Sequence, residues 1–182
     1  MDLEDLHLTL RTLQPSDYPQ LKVLMDKVYD DIGGAWPKKT ITRLISDFPD
    51  GQLALVDADK LIGVALSVMV DYDVFSDPHR YQDLIGTTEI IPNKADGDAI
   101  YGLDVLIDPE YRGHRLGRRL YEARKELCRS RNLQAILAGG RIPGYHLHAD
   151  ELKPSEYIEA VDRKEIHDPI LSFQLSNDFQ VK

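Results

Sequence analysis

The sequence predicts an α/β fold, in which helices flank a mixed central β-sheet. Two observations carry this prediction. Alternating apolar segments in the first half indicate paired strands, and residues 100–137 follow the strand–helix–strand order typical of parallel pairing. The 182 residues suffice for one domain, and a composition of 42% hydrophobic and 29% charged residues is ordinary for a globular protein. We therefore expect a single domain spanning residues 1–182.

Five elements are predicted in residues 1–70. Leu8, Leu10 and Thr12 alternate with Thr9 and Arg11, which is typical of a strand. Helical spacing of apolar residues then predicts two helices, and the polar residues 57–59 are expected to close a hairpin of two strands. In chain order the elements are a strand at 8–12, helices at 17–31 and 37–48, and strands at 52–56 and 60–70.

The second half begins with an irregular excursion. Residues 71–98 show no regular period, and one short helix is predicted near residues 77–85. The strand that follows is expected to point Leu103, Val105 and Ile107 to one face and Asp104 to the other. The predicted elements from there on are a strand at 100–107, a helix at 116–131, a strand at 135–137, and helices at 155–164 and 169–176.

The distribution of charge limits the class of ligand. The net charge of −9 argues against a nucleic-acid interface, which requires a broad basic surface. Residues 112–131 nevertheless carry eight arginines and lysines against two glutamates. Such a basic segment in an acidic protein indicates either a solvated helix face or a site for a small, highly anionic ligand.

Several other classes of protein and site are disfavoured. No stretch approaches eighteen consecutive apolar residues and the N-terminus lacks a signal-peptide pattern, so we expect a soluble, cytoplasmic protein without membrane contact. Cys128 is the single cysteine, which excludes an internal disulfide and favours a packed core position. His146, His148 and Asp150 alternate on one predicted loop, but no second cluster accompanies them, so no metal is expected.

Residues 107–117 form the candidate binding motif. A strand that turns into a helix exposes free backbone N–H groups and the positive end of the helix dipole, which together attract an anion. Gly113 and Gly117 allow close approach to the backbone, while Arg115, Arg118 and Arg119 add charge at the rim. The spacing matches neither the dinucleotide-binding fingerprint nor the Walker nucleotide motif. The motif therefore predicts a pyrophosphate site of another kind.

At these residues the sequence resembles the GNAT N-acetyltransferase superfamily, whose acetyl-CoA motif is [QR]-x-x-G-x-[GA] after a V-x-P-x-[YF] segment. Arg112 takes the first motif position and Gly117 the last, but Arg115 stands where the family usually has its middle glycine. The segment LTLRTLQPSDY resembles the opening strand and helix of that family, and QLALVDADKLIGVALSVMV resembles its paired second and third strands, so the resemblance covers most of the chain. The segments DFPDGQL, YEARKELC and ILAGGRIPGY resemble the acetyltransferase module that some bacteria join to a carbon–nitrogen hydrolase.

The resemblance implies a fold and a co-substrate. It implies a sheet of about six to seven strands, in which residues 103–107 splay from residues 135–137 and open a slot for the pantetheine arm of acetyl-CoA. The residues expected to bind coenzyme A are Val105, Leu106, Ile107, Arg112, Gly113, His114, Arg115, Leu116, Gly117 and Arg118. The chain stops where such a fold would begin its last strand, which fits a piece of a longer polypeptide, a homodimer, or a fused or partner hydrolase domain.

Asp104 is the candidate general base, because acetyl transfer needs an unprotonated amine and the family often has an acidic residue at this position. The alternative is a carboxylate that only binds a cationic substrate or a neighbouring backbone amide. The usual acid of the family is a tyrosine, and Gln174 stands in its place. Either Tyr145 or Tyr101 then protonates the leaving thiolate, or the thiolate leaves into solvent.

Arg141 is the candidate residue for binding the acceptor. It follows the splayed strand and its guanidinium could hold a substrate carboxylate with two hydrogen bonds. The sequence thus favours an enzyme that transfers an acetyl group from acetyl-CoA to a primary amine of a small molecule or peptide. The alternative is a module that binds acyl-CoA without catalysis, as a sensor or in the service of a partner domain.

Overall fold

The computed structural model describes residues 6–29, 34–75 and 90–182. The chain forms two compact units, Met1–Ala138 and Gly139–Lys182. The first unit contains the sheet and four helices among its described residues, and the second is helical. Whether the two units make one domain, as expected from the length, stays a prediction.

Five strands form one sheet, in chain order along the sheet. The first four pair antiparallel with their neighbours, and the fifth pairs parallel with the fourth. The strands are β1 (Leu8–Thr12), β2 (Leu53–Asp57), β3 (Lys60–Val70), β4 (Ala99–Ile107) and β5 (Ala135–Ala138). The mixed sheet is confirmed, but the expected six to seven strands are too many for the described residues, because residues 139–182 form helices and turns rather than extended segments.

The helices of the first unit pack on both faces of the sheet. These helices are α1 (Tyr18–Val28), α2 (Lys38–Asp47), α3 (Tyr72–Phe75) and α4 (Leu116–Ser130). Leu21, Leu24 and Met25 of α1 share a core with one face of the sheet, whereas Leu116 and Leu120 of α4 pack on the opposite face. The predicted helix near residues 77–85 lies outside the described residues.

A β-bulge interrupts the pairing of β3 with β4. Leu66 lies opposite Asp104, but Ser67 lies opposite Gly102, so Leu103 is an extra residue without a partner. The expected alternation is therefore wrong at Leu103, which packs in the core shared with α1, whereas Val105 and Ile107 pack on the α4 side. The extra residue reverses the sense of the alternation at that point, which periodicity alone does not predict.

The pairing of β4 with β5 is short. It covers only residues 99–102 of β4 against residues 135–138. Within the described part of the chain, residues 103–107 have a partner strand on the β3 side alone. This is the arrangement expected of two parallel strands that separate, and among the described residues it leaves one edge of residues 105–107 without a neighbouring strand.

The second unit contains α5 (Pro154–Asp162) and α6 (Leu171–Leu175) around a buried Tyr157. Buried Asp168 organises it, because its carboxylate accepts hydrogen bonds from four donors. These donors are the Gly144 N–H (2.9 Å), the Tyr157 hydroxyl (2.9 Å), the Ile170 N–H (3.0 Å) and the Leu171 N–H (2.9 Å). Burial and Asp168 together raise the pKa of Tyr157 to about 12.

None of the helices described in residues 6–29, 34–75 and 90–182 has both the length and the apolar character needed to cross a membrane.

Candidate active site

The turn from β4 into α4 contains two residues with left-handed backbone. A 3₁₀ turn at Pro109–Tyr111 follows β4, and the side chain of Asp108 accepts a hydrogen bond from the Glu110 N–H (3.0 Å). Gly113 has a φ of 86° and Arg115, immediately before α4, has a φ of 56°. These two residues redirect the chain from the strand into the helix within a few residues.

Six consecutive backbone N–H groups lie free at this turn. The N–H groups on either side are bonded, that of Arg112 to the Pro109 carbonyl (3.3 Å) and that of Arg119 to the Arg115 carbonyl (3.4 Å). Between them, the N–H groups of residues 113–118 donate to no acceptor in the part of the chain that the structure describes. A fifteen-residue helix begins here, so its dipole adds positive potential to the same point. The turn can therefore bind an anion through its backbone.

Basic side chains surround the free N–H groups. An open groove of about 630 Å³ runs beside α4. Its lining residues are Leu10, His114, Arg115, Arg118, Arg119, Glu122, Ala123, Glu126 and Arg129. Three predicted binding residues, His114, Arg115 and Arg118, are thus brought together on one surface next to the turn. The positive charge of Arg115 and Arg118 favours a phosphate-bearing ligand.

Two lysines fix the start of the turn. The Lys27 ammonium of α1 lies 2.6 Å from a carboxylate oxygen of Asp108 and 2.9 Å from one of Glu110. Lys60 of the hairpin lies 3.4 Å from Asp108. Burial opposes ionisation of Asp108, but the hydrogen bonds from Lys27 and the Glu110 N–H, together with the charge of Lys60, hold the pKa of this carboxyl below its usual value. These contacts tie the turn to α1 and to the β2–β3 hairpin.

The left-handed backbone of Arg115 explains the glycine that the related motif carries at this position. A side chain in this conformation costs about 1–2 kcal/mol, which glycine avoids. Arg115 adopts the same left-handed conformation despite this strain, and its guanidinium contributes positive charge to the groove.

Replacing Arg115 with glycine is expected to raise the free energy of unfolding by about 0.5–1 kcal/mol. Relief of the left-handed strain exceeds the added entropy of glycine in the unfolded chain. Urea denaturation measures the change, and Arg115→Ala is the matched control because it removes the same charge but retains the strain. Equal stability of the two variants would contradict this explanation.

Asp104 lies at the bulge of β4 and faces α1. The hydroxyl of Tyr29, the residue that follows α1, donates a hydrogen bond to Oδ2 of Asp104. Both side chains are half-buried. The predicted base thus has a protic partner, Tyr29, that sequence reasoning did not find.

Arg124 is a buried cation beneath the same bulge. Its side chain is 1% exposed, and its Nη2 donates to the backbone carbonyls of Leu66 and Asp104, each at 3.1 Å. Its Nε has no partner in the described residues, and a Cβ on Gly102 would lie 2.6 Å from Nη1. Burial lowers the pKa of Arg124, whereas the neighbouring Tyr121 and Asp104 act in the opposite sense.

The burial of Arg124 could have been predicted from the sequence. Arg124 lies one turn after Leu120 and two turns after Leu116, on the buried stripe of α4. An arginine on such a stripe next to a glycine-bearing strand indicates a buried donor for backbone carbonyls. No comparable signal marks Tyr29, whose partner is 75 residues away in the sequence.

The predicted residues of the coenzyme A slot lie along the second half of β4. Val105 and Ile107 are half-buried and Leu106 is buried. All three lie where β4 has lost its pairing with β5. Arg112, Leu116 and Gly117 lie in the adjoining turn and helix, so the ten predicted binding residues fall on one continuous stretch of the first unit.

The remaining predicted residues lie in the second unit. The Tyr145 hydroxyl donates to the Leu152 carbonyl (3.0 Å), and its ring packs against Tyr157 with centroids 5.5 Å apart. Arg141 is exposed and has no ion pair among the described residues. Gln174 is 8% exposed and donates to the Gly139 carbonyl (3.5 Å), so it packs as a structural residue.

Tyr101, the other tyrosine considered as an acid, is fully buried in the core of the first unit. Its ring contacts Phe75 with centroids 5.9 Å apart. This placement argues against proton donation to a bound ligand. Cys128 is a buried free thiol, as expected of a core residue. In the described parts of the chain, histidines, cysteines and carboxylates form no cluster that could hold a metal ion.

Comparison with known proteins identifies the family and the relatives of this chain. Residues 21–149 match the model of the acetyltransferase (GNAT) family. The chain is 36% identical over 172 residues to "Probable hydrolase YhcX" of Bacillus subtilis (strain 168), covering 94% of this chain and 33% of that protein. It therefore spans about a third of the length of that relative.

A second relative and a solved structure are consistent with the family match. "Uncharacterized N-acetyltransferase YkwB" of the same organism is 28% identical over 171 residues, which are 92% of this chain and 76% of that protein. The structure of the GphF GNAT-like decarboxylase in complex with isobutyryl-CoA superposes with a TM-score of 0.76 at 21% identity, covering 92% of this chain and 84% of that one. That likeness supports the fold. The match over residues 21–149 establishes that this chain belongs to the acetyltransferase (GNAT) family.

Proposed function

We propose that this chain transfers an acetyl group from acetyl-CoA to a primary amine. The observation that carries the proposal is the row of N–H groups at residues 113–118, which have no acceptor among the described residues and lie at the start of α4, after the half of β4 that does not pair with β5. An anion of pyrophosphate size fits this row, because its oxygens can accept several N–H groups at once. The site thus suits a long ligand with phosphates at one end and an amide-bearing arm that can lie along a strand.

Each part of the site has a proposed role. The N–H groups of His114, Leu116 and Gly117 bind the pyrophosphate, and the guanidinium groups of the groove add charge. The free edge of β4 at residues 105–107 pairs with the amides of the pantetheine arm. The arm would then bring its acyl group toward the bulge at Asp104, and the held geometry would supply part of the rate.

The reaction joins the amine nitrogen to the thioester carbon and breaks the carbon–sulfur bond. Asp104 accepts the proton that the amine loses. The thiolate takes up one proton, and Tyr145 or solvent is proposed to supply it. Tyr145 would first have to release its hydrogen bond to the Leu152 carbonyl. Arg141, exposed and without an ion pair in the described residues, is proposed to hold a carboxylate of the acceptor.

The second candidate function is that of a module that binds acyl-CoA through the same turn at residues 113–118 but catalyses no reaction. The observation that favours it is Gln174, which stands at the position of the usual tyrosine and is packed against the Gly139 carbonyl. The name of the relative with 36% identity suggests a hydrolase as the kind of partner domain that such a module would serve.

The test measures free thiol during incubation with acetyl-CoA and a panel of amines that includes amino acids, polyamines and aminoglycosides. We expect amine-dependent thiol release with an equal amount of acetylated amine detected by mass spectrometry. An incubation without amine controls for hydrolysis, and one with malonyl-CoA detects decarboxylation. Tight binding of acetyl-CoA without thiol release for every amine would overturn the enzyme and favour the binding module.

A further inference from the structure

Tyr29 and Asp104 join two distant parts of the chain at the centre of the candidate site. Tyr29 ends α1, where its backbone N–H donates to the Met25 carbonyl (2.8 Å), and its hydroxyl donates to Oδ2 of Asp104. We propose that Tyr29 is a positioning residue that orients the Asp104 carboxylate and keeps it ionised. The catalytic meaning of this inference rests on the proposed function.

The geometry supports this role through the hydrogen bond itself. The Tyr29 hydroxyl donates to Oδ2, which fixes the orientation of the Asp104 carboxylate relative to the end of α1. A hydrogen bond donated to a carboxylate stabilises its charged form over its protonated form. A base at this position must be unprotonated before it can accept a proton from the amine.

Titratable side chains from two helices lie next to Asp104. In the described residues, α1 contributes Tyr29 and α4 contributes Arg124, whose Nη2 donates to the Asp104 backbone carbonyl (3.1 Å). Opposite Asp104, β3 contributes the apolar Leu66. The Tyr29 phenol donates to the carboxylate itself, whereas Arg124 donates to the backbone carbonyl, so removal of the phenol should change the protonation of Asp104 directly.

The Tyr29 hydroxyl is not needed to hold α1 in place. Leu21, Leu24 and Met25 bury the helix against the sheet, and Lys27 pairs with Asp108 at 2.6 Å. The Tyr29 ring itself packs against the same core. Phenylalanine would preserve these contacts, so Tyr29→Phe isolates the hydroxyl.

The test follows the carboxyl carbon of Asp104 by NMR as a function of pH in protein labelled with [4-¹³C]aspartate, with Asp104→Asn identifying the signal. In Tyr29→Phe we expect the titration midpoint to move about one pH unit higher, the size expected for loss of one hydrogen bond to a charged group. Tyr18→Phe is the matched control, because Tyr18 also belongs to α1 but its hydroxyl donates to the Trp36 carbonyl (3.0 Å). In this variant the titration midpoint of Asp104 should equal that of the wild type.

An unchanged midpoint in folded Tyr29→Phe would overturn the inference, as would an equal shift in Tyr18→Phe. Urea denaturation establishes that each variant is folded, and Tyr29→Met provides a second variant without the hydroxyl. This readout needs no acceptor, so it separates the inference from the proposed function. If the midpoint moves while Asp104→Asn retains full amine acetylation, Tyr29 tunes Asp104 but the proposed base is wrong, and the catalytic role of Tyr29 falls with it.

Discussion

Replacing Asp104 with asparagine is expected to lower turnover in amine acetylation by about 10²–10⁴-fold, the usual contribution of a general base. Asparagine retains the size of the side chain and can accept the hydrogen bond from Tyr29, but it cannot take a proton from the amine. Affinity for coenzyme A should be unchanged, because the turn at residues 113–118, which is proposed to bind the pyrophosphate, does not include Asp104.

The measurement pairs kcat from the thiol assay with the dissociation constant of coenzyme A from calorimetry. Asp59→Asn is the matched control, since Asp59 is an exposed residue of the hairpin turn and should leave both quantities unchanged. Equal turnover of Asp104→Asn and the wild type across pH would remove Asp104 from the mechanism. The carboxylate would then have the alternative role of binding a cationic acceptor.

Replacing Arg124 with alanine is expected to lower the free energy of unfolding by about 3 kcal/mol. The Leu66 and Asp104 carbonyls would each lose a buried hydrogen-bond donor, at about 1–3 kcal/mol for each group. The lost side chain also leaves a cavity. The guanidinium of Arg124 is a buried charge without an ion-pair partner among the described residues. Its removal therefore recovers part of the lost free energy of unfolding.

Two variants make this measurement specific. Arg124→Met fills the space without the charge, and we expect it to cost about 1–2 kcal/mol, because only the carbonyl donors are lost. Arg129→Ala is the control on the same helix, where an exposed guanidinium pairs with Glu126 at 3.3 Å, and its effect should stay below about 0.5 kcal/mol. Urea denaturation that gave Arg124→Ala and Arg129→Ala equal stability would contradict a structural role for Arg124.

Much of the sheet and its helices could be predicted because their signals are local. The hairpin of β2 and β3, the stripe of α4 and the short β5 all follow from apolar spacing within one segment. The predicted strand at 60–70 and the start of the helix at 116 agree with the structure to the residue. Helices α1 and α6 are shorter than predicted, because the spacing of apolar residues does not indicate the residue at which a helix ends.

The bulge and the strand count depend on distant contacts. At the bulge, Arg124 donates to carbonyls of both strands, and it lies 20 residues away from Asp104 in the sequence. A segment of alternating residues carries no sign of such a partner. Residues 139–182 likewise become helical around Asp168, whose four hydrogen bonds join segments that are separate in the sequence.

The candidate site divides in the same way. The features of the proposed anion-binding turn could be predicted because its N–H groups, glycine and arginines all lie within residues 112–119. The left-handed φ of 56° at Arg115 gives a physical reason for the glycine that the motif usually has at this position. The partner of Asp104 could not be predicted, because Tyr29 meets it only after the sheet has brought α1 over β4.

The bulge of β4 also sets how the strand tolerates insertions and deletions. One added residue acts as a phase shift: before it, Tyr101 points to the α1 side, and after it, Leu106 does, although five positions separate them. A deletion at Leu103 would restore a regular pleat and leave Val105 and Ile107 on the α4 side, because Leu103 and Asp104 both face α1. A residue inserted between Asp104 and Val105 would instead bring Val105 and Ile107 to the α1 side. Leu103 is therefore a position at which this strand can lose a residue and keep its pattern of faces.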